Sequence, residues 1–287
     1  MAKLTDYLRL VKFSHTIFAM PFALLSFTYA WLSTEHSSNI YLLLAQVVGC
    51  MVFARNVAMG FNRWADRDID GKNPRTTDRE IPAGKISAKS ALIFVIINAI
   101  LFVGVSLSIN SLTAILSPVA LAVVMAYSYC KRFTSMAHLV LGLSLGIAPS
   151  AAYIAVTGTL TFAPCLLSLL VLTWCGGFDI IYALQDVEFD RSQGLHSIPV
   201  RFGVRGALYI SIALHAVSIA ALFLFASYCP QGWLLWIGEA LFCGCIILEH
   251  ILVTPTRQRS IGIAFGTLNG IASLTLATFT IAQLIVG

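Results

Sequence analysis

Charge is scarce in this chain. Only 11% of its 287 residues are Asp, Glu, Lys or Arg, against about 25% in an average soluble domain. Hydrophobic side chains make up 58%, and the mean hydropathy is +0.85. The shortage of charge excludes a water-soluble globular protein, and the abundance of apolar surface excludes intrinsic disorder. Paired cysteines are missing as well. The seven cysteines are odd in number, scattered through apolar stretches and include no CxxC pair, which excludes a disulfide-stapled module and a thiolate metal site. No Lys/Arg tract with interleaved aromatics is present, so the net charge of +5 does not point to nucleic acid. His15, His138 and His215 have no ligand spacing, which argues against a transition-metal site.

What fills the chain instead is apolar runs. A bilayer core about 30 Å thick takes roughly 20 apolar residues per helix, and nine runs of about that length lie at 16–32, 41–64, 89–109, 112–130, 137–156, 164–186, 206–226, 231–253 and 263–286. The expectation is an all-α, polytopic membrane protein of nine transmembrane helices. It reads as a single domain over 1–287, with an interfacial helix in 1–15 and cytoplasmic motif loops at 63–88 and 187–205. The first run is not a cleavable leader, because no small-residue cleavage pattern follows it. Leu4, Tyr7, Leu8 and Val11 share one helical face, suited to lying against membrane lipid. The fourth run contains Pro118, a residue that ordinarily interrupts a helix. Of the 18 Lys and Arg residues, 17 fall in loops or at the helix ends bordering them on one side of this arrangement, and the other, Arg55, lies deep within the second run. Positive loops stay inside, which predicts a cytoplasmic N-terminus and an external C-terminus.

The acids are just as uneven. Nine of thirteen lie in two windows: Asp66, Asp68, Asp70, Asp78 and Glu80, then Asp179, Asp186, Glu188 and Asp190. Asn62-xxx-Asp66-xxx-Asp70 and Tyr182-xxx-Asp186-xxx-Asp190 are the same pattern 120 positions apart. Four runs separate them, so both fall at cytoplasmic helix ends, as in a parallel repeat. Positions i, i+4 and i+8 share a helical face, so each window presents a ladder of two carboxylates topped by a polar group. Two facing ladders would gather at least four negative charges, an arrangement that a divalent cation neutralises. Mg²⁺ prefers a few carboxylates plus substrate phosphate oxygens, which implies a phosphorylated or diphosphorylated ligand. Arg67, Arg75, Arg79, Lys85, Lys131, Arg132 and Arg191 are the candidate phosphate contacts.

A lone DxxxD at a helix end is ordinarily a solvated face; two in-phase copies at equivalent positions are not ordinary. Asp179 lies seven residues, about 10 Å, inside Asp186, and Arg55 lies seven residues inside Asn62. Charges at such depth are expensive and mark functional sites. The plainer alternative is a buried Arg55–Asp179 ion pair. Asn269, deep in the ninth run, is a candidate cavity residue or else a hydrogen-bonding partner for a neighbouring helix. Glu239, Glu249 and His250 read as packing or lipid-interface groups.

NRWADRDID at 62–70, then Arg75, Arg79 and Pro82, YSYCKRFT at 127–134, FDIIYALQDVEFD at 178–190 and GLHSIPVRFG at 194–203 together resemble the UbiA superfamily of intramembrane polyprenyltransferases over nearly the whole chain. The last two segments resemble the 4-hydroxybenzoate polyprenyltransferase-like branch, which includes enzymes acting on naphthoate derivatives in a menaquinone route. By that resemblance Asn62, Asp66 and Asp70 match one metal motif and Asp186 and Asp190 the other. Asp179 and Tyr182 match positions lining the central cavity, and Lys131 and Arg132 match a diphosphate-contacting stretch. His196 departs from the pattern, standing where many members carry lysine.

The implied chemistry is Mg²⁺-assisted ionisation of a polyprenyl diphosphate and attack on the allylic cation by an aromatic acid of the 4-hydroxybenzoate type, in quinone biosynthesis. Arg55 is a candidate partner for the acceptor's carboxylate, and Asp179 for orienting the acceptor or taking its proton. The rival class is a secondary transporter of a cation or phosphorylated solute. Transporter sites tend to lie near the midplane between inverted repeats, whereas these acids sit at helix ends in a parallel repeat.

Overall fold

Helices account for every regular element of the computed structural model, which describes residues 3–11, 18–35, 39–257 and 260–287, leaving aside the side chain of Leu4. In chain order they are α1 Leu4–Leu10, α2 Met20–Ser33, α3 Ile40–Ala65, α4 Arg67–Asp70, α5 Ala88–Ile109, α6 Ser111–Cys130, α7 Ala137–Thr157, α8 Phe162–Ala183, α9 Val187–Ser192, α10 Ile198–Ala226, α11 Trp233–Leu252, α12 Ile261–Ile263 and α13 Asn269–Val286. A 3-10 turn, Leu184–Asp186, joins α8 to α9, and a π turn, Ala264–Leu268, joins α12 to α13. Among the described residues there is no strand, only an isolated bridge between Thr254 and Arg257.

Eight of the nine expected spans are helices long and apolar enough to cross a membrane. The count of nine is not reached, because the described part of the first, α2, has 14 residues. Thr16 and Ile17 of that run lie outside the described residues, as do residues 12–15 of the expected interfacial helix. Pro118 interrupts nothing: α6 runs through it, as α7 runs through Pro149. A membrane helix tolerates proline where neighbouring groups re-satisfy the freed backbone. In α10, Ser197 accepts a hydrogen bond from the Val200 amide and Pro199 sits in the first turn, a sound helix start. Gly203 then takes φ 70°, ψ 174°, a conformation open to glycine alone, and kinks the helix where the GLHSIPVRFG segment gives way to the apolar run.

The chain forms two compact units. The first comprises 1–16 and 40–129. Here α3 and α5 pack along their lengths around Val57 and Val95, with polar side chains bonding between them. Asn56 Nδ2 donates to Asn98 Oδ1 at 2.8 Å, and Gln46 Nε2 donates to Ser108 Oγ at 2.9 Å. Where lipid removes the hydrophobic incentive for helices to associate, such bonds hold them together.

The second unit comprises 17–39 and 130–287. Its core is aromatic. Trp174 lies 5.4 Å from Phe22, 5.1 Å from Phe178 and 5.6 Å from Phe242, ring centre to ring centre. Helices α7 and α8 meet backbone to backbone, since a methyl group at Gly142 would run into the Leu172 carbonyl and one at Gly146 would come within 2.8 Å of the Ser168 carbonyl. Small residues at such positions let membrane helices approach closely.

Candidate active site

The first motif occupies the end of α3 and all of α4. Backbone bonds from the Asp66 amide to the Asn62 carbonyl (2.9 Å) and from the Asp70 amide to the Asp66 carbonyl (2.8 Å) realise the expected i, i+4 spacing. The helix nonetheless breaks at Asp66, which takes φ −96°, ψ 7°. Asn62 Nδ2 donates to Asp66 Oδ2 at 2.9 Å, so the polar rung of the ladder orients the first carboxylate.

Asp70 is buried and surrounded by cations. Arg79 Nη1 donates to its Oδ1 at 2.6 Å, and Arg63 Nη1 stands 3.9 Å from its Oδ2. Oδ2 is buried with no hydrogen-bond partner. Thr76 Oγ1 donates to the Asp70 carbonyl at 2.9 Å, and the Arg75 amide donates to Asn73 Oδ1 at 2.9 Å, so the segment expected as a loop is a series of turns folded against the second aspartate. Arg63 was counted in the sequence only as a loop cation. It belongs to α3, seven residues before Asp70 on the same helical face, and that spacing was the available signal. Arg67, expected among the phosphate contacts, is engaged on its own turn: Nη1 donates to the Trp64 carbonyl at 2.8 Å and the guanidinium lies 5.1 Å from the centre of the Trp64 ring.

The second motif repeats the first in conformation as well as in spacing. Asp186 takes φ −109°, ψ 4°, close to Asp66, and a short helix, α9, follows as α4 does. Asp186 and Asp190 are both buried. Lys131 Nζ lies 3.5 Å from Asp190 Oδ2, the counterpart of Arg79 on Asp70. The Leu195 amide donates to the Asp190 carbonyl at 2.8 Å, and the His196 amide to the Lys131 carbonyl at 2.7 Å, tying the GLHS segment to the basic stretch through backbone. Arg132 and Arg191 are exposed.

Above the second motif on α8, the Tyr182 ring packs against Phe265 of the π turn, 4.2 Å between centres. Asp179, weighed above as the partner of Arg55, bonds to His138: Nδ1 lies 2.6 Å from Asp179 Oδ2. Arg55 has no ion pair among the described residues, and its buried Nε has no hydrogen-bond partner. Asn269 takes the second of its two readings. It is buried, accepts from Trp174 Nε1 at 2.8 Å, and donates to Glu249 Oε1 at 3.2 Å and to the Ala264 carbonyl at 3.0 Å, so its amide is spent on packing. His215 and His250, set apart in the sequence, are paired at 2.8 Å.

Among the described residues, no group of three or more His, Cys, Asp and Glu side chains is gathered as for a metal ion. Each motif instead offers a pair of carboxylates, and the orphaned, buried Oδ2 of Asp70 is an oxygen whose lone pairs a hard cation would satisfy.

A model of the UbiA prenyltransferase family matches residues 19–278. The 4-hydroxybenzoate octaprenyltransferase of Serratia proteamaculans is 30% identical over 231 residues, covering 80% of this chain and 78% of that protein. The protein of the same name from Tolumonas auensis is 30% identical over 258 residues, covering 88% and 87%. Among solved structures, the apo form of a UbiA homologue from Aeropyrum pernix is similar with a TM-score of 0.79 at 30% identity, over 95% of this chain and 97% of that one. A UbiA homologue from Archaeoglobus fulgidus bound to GPP and Mg²⁺ shares the fold at 20% identity, with a TM-score of 0.76 over 98% and 100% of the two chains.

Proposed function

The chain belongs to the UbiA prenyltransferase family, and from that premise we propose that this multi-pass membrane protein transfers a polyprenyl group from a polyprenyl diphosphate to the ring of a 4-hydroxybenzoate-type acid in quinone biosynthesis. The observation that carries the reading is the doubled motif, in which the middle aspartate breaks the helix and the fourth residue of the short helix that follows is a buried, cation-paired aspartate.

In this proposal Asp66 and Asp70, and likewise Asp186 and Asp190, are the carboxylate pairs that would hold Mg²⁺ for the diphosphate. Carboxylate pairs suffice because substrate phosphate oxygens complete the coordination of this ion. When bound, Mg²⁺ neutralises the diphosphate and improves it as a leaving group. Asn62 keeps Asp66 aimed. Arg79 and Lys131, which otherwise neutralise Asp70 and Asp190, turn to phosphate oxygens when substrate arrives, and Arg75, Arg132 and Arg191 add to that grip. The allylic C–O bond breaks with its electron pair going to the diphosphate. The ring carbon ortho to the acceptor's hydroxyl attacks the cation and forms the new C–C bond, and loss of the ring proton restores aromaticity. Arg55 binds the acceptor's carboxylate, while Asp179 and Tyr182 orient the acceptor.

Purified protein given a polyprenyl diphosphate, 4-hydroxybenzoate and Mg²⁺ is expected to release diphosphate and form the prenylated acid, and to stop on chelation by EDTA. Product with a hydroxynaphthoate alone would replace the acceptor class. No diphosphate release with either acid would overturn the reading.

We further propose that the motif segments face the cytoplasm, with the N-terminus inside and the C-terminus outside, because the loop cations are on one side. In a cysteine-free background, Lys72→Cys and Gln193→Cys are expected to resist an impermeant maleimide added to intact cells and to react once the cells are opened. Labelling from outside at either position would reverse the topology.

A further inference from the structure

His138 carries no motif spacing in the sequence, yet both of its ring nitrogens are engaged by other helices. It is fully buried at the second position of that helix, and each ring nitrogen has one partner. The Ile198 amide points at Nε2 from 3.4 Å, and Asp179 Oδ2 lies 2.6 Å from Nδ1. A backbone amide can only donate, so Nε2 presents its lone pair and Nδ1 carries the ring proton. The short contact is therefore a hydrogen bond donated by His138 to the carboxylate.

The backbone builds this contact in. Gly142 lies one turn beyond His138 and Gly176 nearly one turn before Asp179, on the faces where α7 and α8 touch. A methyl group at Gly142 would collide with the Leu172 carbonyl and come within 3.1 Å of the Gly176 amide, and one at Gly176 would come within 3.3 Å of Leu139. Only this near-contact of two backbones brings side chains 41 residues apart to such a distance. Ile198 is the first residue of α10, whose opening amides lack partners within their own helix. One of them locks the imidazole, which in turn locks the carboxylate.

Asp179 is left half committed. Its Oδ2 is taken, its Oδ1 has no hydrogen-bond partner among the described residues, and its side chain keeps 20% of its exposure. It shares a helical stripe with Tyr182 and Asp186, at i+3 and i+7. We propose that His138 is a positioning residue for prenyl transfer, fixing Asp179 so that its remaining oxygen accepts the hydrogen bond of the acceptor's phenol. This rests on the reading of Asp179 as an acceptor-side residue. The logic is that of metal sites, where an outer partner fixes the orientation of the residue that touches the ligand, with histidine as the outer partner and carboxylate as the inner one.

Two substitutions separate the two ring nitrogens. In His138→Asn the side-chain amide NH2 replaces Nδ1 as the donor to Asp179 and leaves the Ile198 amide unserved. In His138→Gln the longer side chain reaches the Ile198 amide and gives Asp179 no fixed donor. Positioning predicts that His138→Gln lowers kcat/KM for the aromatic acid about fivefold, with the KM for the prenyl diphosphate unchanged, and that His138→Asn recovers most of the loss. A purely structural role as a cap for α10 predicts the opposite order, with melting temperature falling in His138→Asn and both substrates affected alike, and that result would overturn the proposal. Asp179→Asn completes the cycle: in that background His138→Gln is expected to change acid kinetics less than twofold. An undiminished fivefold effect there means that His138 does not act through Asp179, and the proposal falls while the reading of Asp179 stands. If Asp179→Asn alone leaves acid kinetics untouched, that reading fails and the His138 proposal fails with it.

Discussion

Asp66→Asn and Asp186→Asn are each expected to lower turnover more than about 100-fold, or about 2.7 kcal/mol of transition-state stabilisation, while the protein stays folded. Each change keeps the shape of the side chain and removes one charge. Asp186 and Asp190 are both buried and repel each other, and removing one of the two charges in the absence of a divalent cation relieves that repulsion, so the melting temperature should hold or rise. The equivalence of the two positions makes a stronger statement than either change alone. Asp66 and Asp186 share one backbone conformation, φ −96° and −109° with ψ 7° and 4°, and each opens a short helix whose fourth residue is a buried aspartate. If both serve one diphosphate, the double variant should be little worse than the single ones, because residues acting as a unit lose their effect together. Steady-state kinetics at saturating Mg²⁺ beside thermal unfolding reads all of this. Near-normal activity in either single variant would remove that motif from metal binding.

Period and spacing carry the parts of this molecule that are local. The apolar runs mark eight helices long enough to cross a membrane, and the i, i+4, i+8 pattern is realised in the backbone bonds at Asn62, Asp66 and Asp70. The break at each middle aspartate was not legible, because an aspartate inside a helical pattern and one that interrupts it have the same spacing. Pro118 shows the reverse case, a residue that reads as a breaker and sits within an unbroken α6. The partner of Asp179 was out of reach for another reason. His138 reaches it through the glycine contact of α7 with α8, and nothing in a single sequence says which residues of two apolar helices will face each other. Asn269 illustrates the same limit from chemistry, since an amide suited to lining a cavity is equally suited to bonding Trp174 and Glu249 across a helix interface, as it does.

Arg55 gives the second large expected effect. Its Nε is buried without a hydrogen-bond partner, and no acid among the described residues pairs with it. A buried guanidinium whose Nε lacks a hydrogen bond carries a desolvation cost, and in the proposed reaction the acceptor's carboxylate offsets it. Its place two turns inside Asn62, on the helix that carries the first motif, puts it on the acceptor side of the carboxylates in the proposed reaction. A guanidinium fork matches a carboxylate in bidentate geometry, which an ammonium does not reproduce. Arg55→Lys is therefore expected to raise the KM for the aromatic acid roughly 10-fold, about 1.4 kcal/mol, and Arg55→Gln roughly 100-fold, with the KM for the prenyl diphosphate within about twofold of the parent in both. The melting temperature separates this from a role in holding helices together. Removing an unpaired buried charge leaves it unchanged or raises it, whereas breaking an ion pair lowers it and disturbs both substrates alike. A destabilised Arg55→Gln with an unaltered ratio of acceptor to donor KM would end the carboxylate-binding assignment.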